Sequence, residues 1–584
     1  MKHLFVLFLC NLCSLLFAFN NGNVSYQTIH LSDDDKQVIR EYIRKQTEIY
    51  DPAEKMITQK FSSWHYHRDA TEGIFHETRM SLYYALALLD TEEKEQEAEA
   101  FAIIRKIISL QNTDPQSPSC GVWPYFMEEP LQTKKSSTDY NWADFLGVSL
   151  LDIYMDHHER LPLDLREEIK DALVLAARSI QKRNVHPGYT NIAIMGSYVT
   201  YLVAHLFDLS DLQEYAEQRW QNFYNYTQQQ GGFSEYNSPT YTIIALDELL
   251  RMKKHIVHPA IQTVVDTLYF TAWDMIARHY HSPTQQWAGP QSRSYYTLVQ
   301  PSFYGLLYQA SGGKIDLAYR SEGYNVRMKH HLPEQLLPYF LSPEYPRMEK
   351  EIFKRSHPQV EGACLLTDKY TLASVNRSNM WIQRRPLLAY WGEAQQASSY
   401  LQLRFLHDGY DFCAASFYSS QKENKVLAAL AFTTNGGDKH VRNDDLVDGK
   451  FRAKDLRLRF EFGNTPVEDL IIPNEKTQSF GFQTNNISFR FCLFYHQFGT
   501  MQGRWEKGGD GVRSWIDFVF YSGEETEINL PEMDAAGLGF VFAMDEDAAT
   551  NTVSFSDKNG ILSAQWQDLE LIMSLKPKEK EENL

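Results

Sequence analysis

The chain has 584 residues, with 57 Lys and Arg against 75 Asp and Glu, a formal net charge of −18. That length exceeds what one hydrophobic core organises and implies two or three domains. A content of 43% hydrophobic and 23% charged residues excludes a disordered or fibrous chain, and the acidic balance argues against nucleic acid or anionic lipid as the main partner.

Residues 1–18 open with Lys2 and His3, continue as an apolar run and end in Leu16-Phe17-Ala18. The run is too short to span a membrane and reads as a secretory signal peptide, so a secreted or periplasmic protein without a membrane span is expected. Cys120, Cys364, Cys413 and Cys492 follow it, too sparse for a disulfide framework and without metal-ligand spacing. His65/His67 and His157/His158 are close pairs lacking a third ligand, and there is no nucleotide-binding glycine motif. No metal or cofactor is expected.

From about Asp33 to Tyr339 the apolar spacing is helical, and residues 19–341 are expected to form one helical, catalytic domain. Ile39, Tyr42, Ile43, Ile49 and Tyr50 fall on one face. Leu165, Ile169, Ala172, Leu173, Ala176 and Ile180 do the same behind Asp164, which with Glu167 predicts a capping box. Further helices are predicted over 71–89, 95–110, 142–156, 190–207, 211–226, 241–252 and 259–279, with no alternating strands among them. Many helices of similar length suggest hairpins around an axis, an (α/α) toroid or incomplete helical barrel. Residues 342–360, rich in Pro, Glu and Lys, read as a linker. Beyond it the period becomes two: 456–462 alternates strictly, and Asn435-Gly436, Gly508-Gly509 and Asn559-Gly560 mark turns. Residues 361–575 are therefore expected to form an antiparallel β-sandwich or a stack of sheets, followed by a charged, frayed tail at 576–584.

The densest polar stretch is Gln230-Gly-Gly-Phe-Ser-Glu235-Tyr236-Asn237-Ser238-Pro239-Thr-Tyr241, which joins two predicted helices; Ser238-Pro239 suits a cap and first turn. Its order Gly-Gly-Phe-x-Glu-x-x-Ser-Pro-x-Tyr resembles the loop that carries the catalytic tyrosine in heparinase II/III-like polysaccharide lyases and their alginate-lyase relatives. In that family an asparagine lies upstream at the start of a toroid helix, and Tyr189-Thr-Asn191 occupies that place here. The family often has His directly after this Asn; this chain has Ile192. The resemblance implies a toroid followed by a β-sandwich, and β-elimination on an acidic polysaccharide or oligosaccharide.

That reaction removes the C5 proton of a uronate beside a carboxylate, so a donor must hold the carboxylate and stabilise the enolate. Asn191 can supply an amide donor. Tyr241 can serve as base and acid if a cation lowers its pKa from the ordinary value near 10. Trp287-Ala-Gly-Pro-Gln-Ser-Arg293-Ser-Tyr295-Tyr296 offers that cation: Arg293 is a candidate clamp on a carboxylate, and Tyr295 a second acid or a binding hydroxyl. His407 resembles a histidine that related lyases bring from the sandwich. Glu235, Tyr236, Asn237, Tyr189, His76 and Arg79 are candidate substrate-binding residues, with Trp123 and Trp142 as loop aromatics on which sugars stack. Two other readings stand beside the lyase. A glycoside hydrolase on the same scaffold would use Glu235 with Glu77, Asp139 or Asp144, its carboxyls about 5 Å or about 6.5–9.5 Å apart. The other reading is a non-catalytic carbohydrate-binding protein. The substrate polymer, endo or exo action and the oligomeric state stay open at this stage.

Overall fold

The computed structural model describes residues 23–26, 30–62, 67, 69–317, 326–394, 398–437, 446–472, 479–484, 486–545 and 552–579. The signal-peptide segment 1–18 lies outside them. The helical region contains α1 (Asp33–Thr47), α2 (Thr78–Asp90), α3 (Lys94–Ser109), α4 (Asn141–Asp156), α5 (Leu163–Arg183), α6 (Thr190–Leu206), α7 (Ser210–Gln230), α8 (Tyr241–His255), α9 (Pro259–His279), α10 (Pro301–Ala310) and α11 (Pro338–Leu341). None of the described helices is long and apolar enough to cross a membrane.

Four hairpins, α2–α3, α4–α5, α6–α7 and α8–α9, stand side by side, and the first helix of each packs against the first helix of the next. The sequence explains the two layers. α6 is apolar or small all round and buried from Thr190 to Ala204, as an inner helix must be. α5 buries the stripe through Leu165, Ile169, Ala172, Leu173, Ala176 and Ile180, with Ala177 and Ser179 beside it, and turns its charges outward. The result is an incomplete (α/α) toroid with inner helices α2, α4, α6 and α8. In this up-and-down ring the inner helices run the same way, so Thr78, Asn141, Thr190 and Tyr241 open onto one end, and Asp90, Asp156 and His255 onto the other.

At that second end Arg327 bridges the buried carboxylates of Asp90 and Asp156, and Lys254 also pairs with Asp156. Burial alone would raise the Asp156 carboxyl; a hydrogen bond with His255 and the charges of Arg327 and Lys254 hold it below the ordinary range instead.

Three local expectations change. Residues 72–77 are a strand, not the first turns of a helix, and they complete a three-stranded sheet, Tyr50–Asp51, Met56–Ser62 and Glu72–Glu77. Helix α5 starts at Leu163 behind Pro162 with no side-chain cap, so Asp164 and Glu167 make no capping box; Asp164 pairs with Arg105 at 2.6 Å instead. The supposed linker contains the strand Arg347–Lys354, which pairs with Val360–Leu366.

That strand is the edge of a nine-stranded antiparallel sheet, which faces a six-stranded one across a core that includes Leu401, Leu403, Phe405, Phe460, Phe491 and Phe540. A third sheet, Ser554–Lys558, Ile561–Trp566 and Leu569–Ser574, covers the outer side of the second through Leu562, Leu571 and Met573 against Leu427 and Val541. The β region is thus a sandwich with a third layer. The tail is tied at its start, where Thr434 N–H donates to Lys578 O at 3.0 Å.

Candidate active site

The loop between α7 and α8 is fixed by local chemistry at both ends. Gly231 ends α7 in the left-handed region (φ 91°), where a side chain would be strained. At the far end Ser238 Oγ accepts from Tyr241 N–H at 2.9 Å and Ser238 O accepts from Thr242 N–H at 3.0 Å, so the expected cap at Ser238-Pro239 forms. Ser238 Oγ also donates to Arg293 O, and Ser292 Oγ to Tyr236 O, each at 2.5 Å. These bonds staple the loop to the segment carrying Arg293.

Asn237 completes the staple. It is fully buried with φ 43°; its Nδ2 donates to Ala288 O and Pro290 O, both at 2.8 Å, and its Oδ1 accepts from the Trp287 indole. Asn237 is therefore scaffold and faces no substrate. Tyr236 is scaffold too: it is buried and stacks on Phe353 at 3.9 Å between centroids.

The staple brings together Asn191, Glu235, Tyr241, Arg293 and Tyr295. Glu235, 6% exposed, accepts from Asn191 N–H through Oε2 at 2.9 Å and from Arg293 Nη1 through Oε1 at 2.8 Å. Arg293 Nη2 donates to the Tyr241 phenol oxygen at 3.0 Å, and that oxygen lies 2.8 Å from the Tyr295 hydroxyl. The guanidinium lies 4.4 Å from the Tyr241 ring centroid and 4.8 Å from that of Trp381, and its Nε donates to Gln383 Oε1 at 2.6 Å.

Burial pushes the Tyr241 phenol above its ordinary range, and Arg293 opposes this. The expectation of a lowered value is met only in the sign of the arginine's effect. Burial likewise raises the Glu235 carboxyl against the pull of Arg293. Desolvation works against the charge on Arg293, but Glu235 and the phenols outweigh it. Tyr241 is 8% exposed and Tyr295 49%, so the pair runs from interior to surface. Asn191 is 1% exposed, with Oδ1 buried and without a hydrogen-bond partner. Tyr189 accepts from Asn141 Nδ2 at 3.0 Å, and burial lifts its phenol to about 12. Three of the five N–H groups of Arg293 are committed, to Glu235, Tyr241 and Gln383, and its side chain is 13% exposed, which limits it as a bidentate clamp on a substrate carboxylate.

Other expected residues lie elsewhere. His407 Nε2 meets Arg452 O at 2.8 Å, and its ring packs on Phe412 and Phe451. Its strand, Ser399–His407, meets the Arg293 segment at Gln402, which bonds Thr297 at 3.1 Å; His407 is five residues farther on, about 17 Å away. His76 is held by Glu128 at 2.6 Å and Asp51 at 3.2 Å; burial disfavours its charge, but these carboxylates raise its pKa overall. Arg79 packs on Phe145 at 4.3 Å and bonds Tyr83, with no hydrogen bond to the Tyr241 cluster. Trp123 is core, its indole donating to Ile107 O at 2.9 Å, and Trp142 is buried against Tyr125 and Phe145.

Gln383 and Trp381 were missed. They come from the β region, far in sequence from the helices, and the only available signal was Arg384-Arg385 beside them in an acidic chain. Arg384 exerts its charge on Glu235 as well.

A family model described as a domain of unknown function (DUF8769) matches residues 36–314, the helical region. No curated protein matches the chain. Among solved structures, it is similar to a heparan sulfate lyase HepC mutant from Pedobacter heparinus, at 8% identity and TM-score 0.35, covering 93% of this chain and 95% of that one. It is also similar to the Streptomyces coelicolor A3 chondroitin AC lyase in complex with chondroitin sulphate, at 8% identity and TM-score 0.44, covering 91% and 83%. Endoglucanase CelQ from Clostridium thermocellum, complexed with cellotetraose, matches at 10% identity and TM-score 0.26, covering 88% and 81%.

Proposed function

We propose that this protein is a secreted polysaccharide lyase that cleaves a uronate-containing glycan by β-elimination, without a cofactor. The observation that carries the reading is the single guanidinium of Arg293 bonded at once to Glu235 and to the Tyr241 phenol, with Tyr295 completing a path to the surface. A phenol held this way has a cation to stabilise its deprotonated form, which the removal of a C5 proton requires. Tyr241 takes that proton. The C4 oxygen leaves as the C4=C5 double bond forms, and a proton returned along the Tyr241–Tyr295 pair neutralises it. Asn191 is the candidate for stabilising the substrate carboxylate as it takes on enolate character: the donor is its side-chain amide N–H, and its backbone is fixed by Glu235 at the start of α6.

The inner-helix N-termini at this end of the ring add positive potential, and with Arg384 they favour an anionic ligand locally despite the net charge of −18. A hydrolase centred on Glu235 fits less well. Both its oxygens are engaged, and Asp144 is buried among the helices, 3.9 Å from Arg183. The test is ultraviolet absorbance during incubation with alginate, glucuronan, hyaluronan, chondroitin and heparan sulfate. The conjugated double bond of a lyase product raises it, and Tyr241→Phe should remove that rise. New reducing ends without absorbance would instead mark a hydrolase, and binding without either product a carbohydrate-binding protein.

A further inference from the structure

The segment Trp381–Arg385 brings the β region to the loop that carries Arg293 and Tyr295. It lies along that loop as a short antiparallel pairing: Gln291 N–H donates to Arg385 O at 3.2 Å, Arg385 N–H to Gln291 O at 2.9 Å, and Ser294 N–H to Gln383 O at 2.8 Å. This backbone pairing fixes where residue 383 stands. Its side chain, in a residue 3% exposed, then accepts from Arg293 Nε at 2.6 Å.

We infer that Gln383 is a positioning residue for the β-elimination, acting from the β region through the guanidinium of Arg293. This rests on the lyase reading above. A guanidinium is a planar fork, so its orientation is set by where its N–H groups find acceptors. Glu235 fixes the Nη1 side and Gln383 the Nε side; with both fixed, Nη2 has one direction left, toward the Tyr241 oxygen. The rings of Tyr241 and Trp381 pack against the guanidinium, 4.4 and 4.8 Å from their centroids. Without the Gln383 acceptor the fork can pivot about its bond to Glu235, and Nη2 leaves the phenol. The acceptor is also neutral. A second carboxylate here would cancel more of the charge that the phenolate needs, whereas an amide orients the arginine and leaves its charge in place.

The test uses the full-length protein and the polymer that the ultraviolet assay selects. Gln383→Met keeps the volume and removes the acceptor; Gln383→Asn withdraws the acceptor by one methylene and serves if the first variant does not fold. Each should lower kcat roughly tenfold or more, leave KM within about threefold, and unfold near the wild-type temperature. The decisive comparison is made in Arg293→Lys, which has no Nε–H. There the same Gln383 substitution should change kcat less than about twofold, because a residue acting through another has no effect once that group is gone. An undiminished effect in the Arg293→Lys background would overturn the inference, as would wild-type kcat in both single variants. Absence of ultraviolet product from the wild-type protein on every polymer would instead overturn the lyase reading, and this inference with it.

Discussion

The phenol oxygens of Tyr241 and Tyr295 lie 2.8 Å apart, and one residue is buried while its partner is 49% exposed. A proton taken up at the inner oxygen therefore has a hydroxyl to pass to without crossing apolar protein. The two tyrosines are not equivalent: only Tyr241 receives a bond from Arg293.

Their substitutions should separate accordingly. Tyr241→Phe should reduce kcat by about 10²–10⁴-fold, the scale of a lost general base. Tyr295→Phe should cost less, about tenfold, because it removes one hydrogen bond and an exit path. Burial holds the Tyr241 phenol above its ordinary range, so kcat should keep rising with pH without a plateau up to about pH 10, as the small phenolate fraction grows. Initial rates from ultraviolet absorbance at several pH values read all three.

The placement of His407 leads to a contrary expectation. Its partners, Arg452, Phe412 and Phe451, all belong to the β region. His407→Ala should leave kcat within about twofold while lowering the melting temperature, since it removes packing from a sandwich edge. A loss of kcat as deep as that of Tyr241→Phe would return His407 to the site.

Asp144 gives the clearest pH dependence of stability. It is buried with Oδ1 unpartnered, and burial pushes its carboxyl up to about 7. Its unfolded value is about 3.9, so the native state binds the extra proton between these values. The contribution of Asp144 to stability is then fully present below about pH 4 and falls as pH rises toward 7. Asp144→Asn should remove that fall. The difference in unfolding free energy between variant and wild type should grow by about 2–3 kcal/mol from pH 5 to pH 8, measured by urea titration at each pH.

Arg327 should behave in the opposite sense. It joins the C-terminal ends of α2 and α4 by pairing with Asp90 and Asp156, whose side chains are 2% and 1% exposed. Arg327→Met removes the charge that Asp90 and Asp156 share, leaving the first with His157 and the second with Lys254 and His255, and should cost about 3–5 kcal/mol at neutral pH. Asp156 is depressed in the folded state, so the stability it provides is present above its unfolded value and lost as pH falls through its folded one. The cost of the substitution should accordingly shrink only as pH falls below the ordinary carboxylate range near 4, which thermal unfolding at pH 3 and pH 7 would register.

The inner and outer helices were legible because their apolar spacing is unbroken; Pro259 and the basic last turn even mark both ends of α9. Asn191 and Tyr241 stand at the starts of α6 and α8 with motifs around them, so their placement near one another and near Arg293 could be anticipated. What escaped the sequence was set by partners distant along the chain. The strand Arg347–Lys354 looks like a charged linker because Glu349 points inward, where Arg278 meets it at 2.6 Å, so the alternation carries a glutamate where an apolar residue is expected. Tyr236 and Asn237 share the polar loop with Glu235, and composition cannot tell which side chains face a cleft and which hold two loops together. Gln383 has no local signature; only its bond to Arg293 distinguishes it.

The pairing of Gln291 with Arg385 has a mechanical consequence. Two regions joined by a peptide crossing alone can swing about it, but here the joint is also laced at the reaction centre, by backbone bonds at 291/385 and 294/383 and by the Tyr390 hydroxyl on Thr297 O. A single proteolytic cut at 342–346 would leave the halves bound and Arg293 in register. Hinge opening at this seam would dismantle the surroundings of Arg293.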